Sequence, residues 1–257
     1  MSWHVEPDRS LLSRCLVIQH VEPEGPYAIA LALEEYGVEL DVRHLFAGDE
    51  VPTQLDEYSG VVVMGGPMSV TSDHGFPTRR AELALLAQAV AIGLPTLCVC
   101  LGAQLLAVAT GGRVYAGEHG REIGFGTVRL ESTADDDYLL SSLERDQTVL
   151  HWHGDTFDLG PDAVRLCENE LYKNQCFSVG PNAWGFQFHF EIDKEAVEAF
   201  VETFQGEVTA AGLDPFAILG DAPEAISRLV DLTDQVTTRF ALLVAAFRMV
   251  NDPPFQR

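Results

Sequence analysis

Short apolar runs bounded by turn residues alternate with stretches of helical period along the first half of the chain. Cys15-Leu16-Val17-Ile18 is continuously apolar and predicts a strand covered on both faces. From Pro26 to Tyr36 the apolar positions Ile29, Ala32, Leu33 and Tyr36 form a helical stripe that Gly37 can end. Val38 to Val42 alternates as a second strand, and Gly60 to Met64 is a third that runs into Gly65-Gly66-Pro67. Thr78 to Ile92 predicts a helix stopped by Gly93, Pro95 to Val99 a fourth strand, and Leu101 to Thr110 a helix closed by Gly111-Gly112. The pattern then turns β-rich: Phe125 to Glu131, Thr148 to Trp152, Ala163 to Cys167, Cys176 to Val179 and Trp184 to Phe188. Two helical patterns follow, Lys194 to Phe204 and Pro223 to Phe247. These predict an α/β fold, a mostly parallel open sheet flanked by helices, with an antiparallel extension. Residues 1–195 are expected to form this domain and 196–257 a helical appendage packed on it, since no repeat or linker divides the chain.

Composition narrows the function. With 39 acidic and 16 basic side chains the net charge is −23 at pH 7, which argues against a nucleic-acid partner. Hydrophobic residues make up 47% of the 257, too many for a disordered chain. No apolar run approaches the roughly 20 residues of a membrane span, and MSWHVEPDRS lacks the regions of a signal peptide. The expectation is a soluble cytoplasmic protein with no membrane partner. Its five cysteines show no framework spacing, which points to reduced thiols and leaves room for one nucleophile.

Ligands of a parallel sheet bind beyond the carboxyl ends of its strands, and three clusters fall there. In Thr96-Leu97-Cys98-Val99-Cys100-Leu101-Gly102-Ala103-Gln104 a strand runs directly into a helix with Cys100 at the junction. A sharp strand–nucleophile–helix turn needs a small residue such as Gly102 nearby, and a helix N-terminus favours thiolate. A buried structural cysteine fits this segment too. In Trp184-Gly185-Phe186-Gln187-Phe188-His189-Phe190-Glu191, residues two apart on a strand share a face, so Glu191 can orient His189 while the other ring nitrogen meets a thiol. Met64-Gly65-Gly66-Pro67 offers backbone N–H groups for an oxyanion, or is simply a tight turn.

Together these segments resemble the class I, triad-type glutamine amidotransferases over roughly Leu16 to Glu191. The specific pieces are Cys-Leu-Gly-Ala-Gln at 100–104 and Gly-x-Gln-Phe-His-x-Glu at 185–191. His151-Trp152-His153-Gly154-Asp155 looks like the strand and loop bordering the glutamine pocket, particularly in the GMP synthase branch, and Gly120-Arg121-Glu122-Ile123-Gly124 resembles the family's segment between elbow helix and next strand. The resemblance implies a flavodoxin-like fold, Cys100 as nucleophile, His189 as base and Glu191 as its partner. It implies N–H groups of Gly66 and Leu101 as the oxyanion hole. Gly65, Gln104, His153, Gly154 and Asp155 are then expected around the substrate, with no cofactor and no metal. His151 and His153 alternate as metal ligands can, but the nearby carboxylates and thiols show no recognised zinc spacing.

Two positions depart from the family pattern. Cys98 stands where a glycine usually precedes the nucleophile by two residues, and Phe190 where a proline usually separates His from Glu. Proline would stiffen that turn, so Phe190 leaves the His–Glu geometry open. Three activities fit. One is glutamine hydrolysis through a γ-glutamyl thioester, with ammonia passed to an acceptor or a separate synthetase subunit. The second is γ-glutamyl peptide hydrolysis by the same triad, and the third a retired binding module.

Overall fold

The computed structural model describes residues 13–251. Segments 1–12 and 252–257 of the two expected stretches lie outside it. Arg14–Gln19 (β1), Glu39–His44 (β2), Gly60–Val63 (β3) and Thr96–Val99 (β4) alternate with the helices Tyr27–Glu35 (α1) and Arg79–Ala91 (α2), and Leu101–Ala109 (α3) follows. Next come Arg113–Ala116 (β5), Glu122–Leu130 (β6), Asp146–His153 (β7), Asp155–Asp158 (β8), Ala163–Glu168 (β9), Cys176–Val179 (β10) and Ala183–Phe186 (β11). Lys194–Thr203 (α4), Gln205–Ala210 (α5) and Pro215–Asn251 (α6) complete the described chain.

Nine strands form one sheet in the order β2-β1-β3-β4-β11-β10-β9-β6-β7. The pairs β1–β2, β1–β3, β3–β4 and β4–β11 are parallel, and those from β11 through β10, β9 and β6 to β7 are antiparallel. The predicted parallel sheet with an antiparallel extension is therefore present. Alternation along β1 divides the core: Cys15 and Val17 face α1, α4 and α6, while Leu16 and Ile18 face α2 and α3. Cys98 lies on the second face, wholly buried under the elbow among apolar neighbours.

Several elements differ from the sequence reading. β6 starts at Glu122 rather than Phe125 because its polar end is paired with the end of β7. The short pair β5–β8 escaped the apolar pattern because Asp155 and Asp158 bound β8, and α5 is a turn and a half long with one buried residue, Val208. The last helix begins at Pro215, not Pro223, with Asp214 Oδ1 accepting from Phe216 N at 3.0 Å. Proline is well suited to a first helical position because its missing N–H is not needed there, whereas Pro223 sits inside the helix. α6 packs on α1, α4, β6 and β7, and Gly60 is required where Val244 comes in, since a Cβ there would be 2.6 Å from the valine methyl. No helix of the described residues is long and apolar enough to cross a membrane.

Candidate active site

Cys100 occupies the expected junction between β4 and α3, with φ 51° and ψ −107°. Positive φ in a residue with a Cβ costs on the order of 1–3 kcal/mol. It is held by the Cys100 N–H, which donates to Phe186 O at 2.7 Å, and by the helix that starts immediately after. Gly102 makes the turn possible: a Cβ there would lie 2.1 Å from the Val63 carbonyl oxygen.

Across the sheet, β11 ends at Phe186 and His189 is not on it, contrary to the strand reading. The chain stays extended because His189 forms an isolated antiparallel bridge with Leu150, its N–H donating to Leu150 O at 2.8 Å. The two-residue spacing therefore still works, and His189 Nδ1 is 2.7 Å from Glu191 Oε1. The other carboxylate oxygen accepts from the Phe190 N–H at 2.9 Å. Phe200 of α4 packs edge-on against the imidazole at 4.9 Å between centroids.

The Cys100 sulfur, a His189 ring nitrogen and a carboxylate oxygen of Glu24 lie within 4.8 Å of one another. The thiol lies 3.7 Å from Trp152 O. Burial raises the Cys100 pKa, against the lowering effect of His189 and of the Leu101 N–H. Burial also pulls the His189 pKa down, but the Glu191 carboxylate and the thiol overcome it, and the net direction is well above 6.5.

Glu24 is the group sequence reasoning missed. Its only signal was position, in the loop beyond the carboxyl end of β1. Buried, it places Oε2 at 3.9 Å from His189 Nε2, and burial raises its pKa to about 7.

A pocket of about 170 Å³ opens in front of Cys100. Gly66, Leu101, Gln104, His153, Gly154 and Asp155 all line it, as does Glu24. Gly65 does not; it stands behind Gly66, where a Cβ would meet Glu24 Oε2 at 1.8 Å. The Gly65 carbonyl is 2.9 Å from His20 Nδ1, and His20 Nε2 is 2.7 Å from Glu82 Oε2, a buried pair that fixes the glycine loop to α2. Gln104 Nε2 donates to Gln187 Oε1 at 3.2 Å and to Asp155 O at 3.4 Å. Asp155 begins β8, and its Oδ2 accepts from Ser69 Oγ at 2.8 Å. Phe204 and Glu207, from the helical region after residue 195, also line the pocket, and Glu207 pairs with Arg121 at 2.5 Å at its rim.

The fold and this elbow define an α/β protein with a buried cysteine and a His–Glu pair brought together beyond the carboxyl edge of a mainly parallel sheet. The family model of class-I glutamine amidotransferases matches residues 25–203, and the chain belongs to that family. It is 32% identical to the glutamine amidotransferase-like protein YfeJ of Salmonella typhimurium over 197 residues, 76% of this chain and 82% of that protein. It is also 32% identical over 173 residues to the glutamine-hydrolysing GMP synthase of Streptococcus mutans, 64% of this chain but 30% of the synthase. The crystal structure of a glutamine amidotransferase from Thermotoga maritima superposes with a TM-score of 0.81 at 31% identity, covering 90% of this chain and 98% of that one.

Proposed function

We propose that the chain hydrolyses the side-chain amide of glutamine. The observation that carries this reading is Cys100 on its strained turn, facing a His189 whose far nitrogen is held by Glu191. With the Cys100 proton held at His189 Nε2, sulfur bonds to the carboxamide carbon as the C=O π bond opens, and the oxyanion meets N–H groups of Gly66 and Leu101. His189 gives that proton to the departing nitrogen as the C–N bond breaks, leaving a γ-glutamyl thioester and ammonia. Water, deprotonated by His189, then cleaves the thioester. Gln104, Gly154 and Asp155 hold the amino-acid end of the substrate, with His153 bordering the pocket and Gly65 behind the loop.

The pocket of about 170 Å³ beside Cys100, lined also by Phe204 and Glu207, supports a substrate of amino-acid size. The ammonia goes to an acceptor held by a separate synthetase chain; the likeness to about a third of a GMP synthase supports this division of labour. The test is ammonia release from glutamine beside amine release from γ-glutamyl dipeptides, with Cys100→Ser throughout. Glutamine hydrolysis lost in that variant is the expected result. Preference for dipeptides, or activity that survives Cys100→Ser, overturns it.

A further inference from the structure

On the far side of His153 from the Cys100 pocket, three groups that sequence spacing kept apart come together. The register of β6 and β7 sets Glu122 opposite His153 and Gly124 opposite His151. Side chains two apart share a face, and ligating atoms of Glu122, His151 and His153 lie within 4.8 Å of one another, all three residues buried.

The hydrogen bonding is incomplete in a particular way. His153 Nδ1 is 3.0 Å from the Asp155 carbonyl, to which it can only donate, which leaves Nε2 as the ring atom able to offer a lone pair. That nitrogen is 3.1 Å from Glu122 Oε2, within ion-pair distance but without the alignment of a good hydrogen bond. Neither ring nitrogen of His151 has any hydrogen-bond partner, although both are buried. Two lone-pair donors thus converge beside a carboxylate in a buried place, where unpartnered polar atoms are costly.

Glu122 is held as metal-bound carboxylates commonly are: Oε1 accepts from Asn169 Nδ2 at 2.7 Å and Oε2 from Gln175 Nε2 at 2.8 Å. Two ligands on one tetrahedral ion with bonds of about 2.0–2.1 Å stand roughly 3.3 Å apart, close to the Glu122–His153 separation. Access comes from a cleft of about 700 Å³, lined by Glu122, Gly124, Gly126 and His151. Gly126 must lack a side chain, since a Cβ there would lie 2.9 Å from the His151 ring.

We propose that Glu122, His151 and His153 form a site for one divalent transition-metal ion of the zinc type, with its remaining position open to the cleft. Two imidazoles and one carboxylate suit such an ion better than calcium or magnesium, which take mainly oxygen. Bound there, the ion ties β6 to β7 beside the strand end that borders the Cys100 pocket.

The test is calorimetric titration of the chelator-treated full chain with Zn²⁺ alone, for the unaltered protein, Cys100→Ser, Glu122→Gln and His151→Gln. Cys100→Ser controls for the other cluster able to take a metal, Glu24, Cys100 and His189. One equivalent bound alike by the unaltered protein and Cys100→Ser, and at least tenfold more weakly by the other two, is expected. Equal affinity in Glu122→Gln, loss of binding in Cys100→Ser, or no saturable binding overturns the proposal. Should the buried variants fail to fold, the Co²⁺ spectrum of the unaltered chain decides. Weak visible bands without thiolate charge transfer support the site; a thiolate band, or no bound Co²⁺, refutes it.

Discussion

The backbone N–H of Phe190 donates to Glu191 Oε2 at 2.9 Å while Oε1 of the same carboxylate meets His189 Nδ1 at 2.7 Å. Proline, the usual residue at this position in the family, has no N–H to give. The phenylalanine thus supplies by hydrogen bond and packing the restraint that a pyrrolidine ring supplies by stiffness. Its ring is fully buried and lies 4.7 Å from that of Phe186.

Two variants separate these contributions. Phe190→Ala keeps the N–H but opens a cavity, so it is expected to lose about 3–5 kcal/mol of stability with the pH profile of turnover unchanged. Phe190→Pro also leaves Glu191 Oε2 without its donor, and is expected to move the His189 limb of that profile. Urea unfolding and the pH dependence of kcat check both, and identical profiles would show the hydrogen bond to be idle.

Cys100 combines positive φ with a position the chemistry needs. Glycine tolerates that backbone and alanine does not. Cys100→Gly is therefore expected to be more stable than Cys100→Ala by about 1 kcal/mol, the reverse of their order in an ordinary helix, with both inactive. Thermal unfolding of the pair reads the strain directly.

Most of the frame was legible because apolar periodicity reports burial, and burial is what the parallel strands and their helices share. Cys100, Gly102, His189 and Glu191 were legible because a sharp turn and an i, i+2 pair are local. What escaped was non-local or short. Glu24 reaches His189 across two strands, and Glu122 meets His153 only through the register of β6 with β7. Pro223 signalled a helix start in sequence, yet Pro215 takes that position and the stripe continues through the second proline.

The glycines of the site separate folding from function. A Cβ at Gly102 would meet the Val63 backbone, which has nowhere to move, so Gly102→Ala is expected to destabilise by several kcal/mol, about the cost of overpacking or more. At Gly65 the obstacle at 1.8 Å is the end of the Glu24 side chain, which can swing aside. Gly65→Ala is expected to fold and to lose the Glu24–His189 approach. Circular dichroism and turnover on the two purified variants distinguish the cases; a well-folded Gly102→Ala would contradict the first.

Glu24 also makes stability depend on pH. Burial raises its pKa from 4.5 to about 7 in the folded protein. Between those values the folded state keeps a proton that the unfolded chain has released, so stability falls as pH rises through the interval. The full shift corresponds to about 3 kcal/mol. Glu24→Gln removes the titration and leaves a neutral group of the same shape, so its stability is expected to fall less from pH 4.5 to 8 than that of the unaltered protein. At pH 8, where the carboxylate is ionised, the variant is expected to be the more stable of the two; at pH 4.5 the two should nearly coincide. Urea unfolding at both pH values measures this, and parallel pH dependences would show that Glu24 does not carry the buried charge cost its place in the pocket implies.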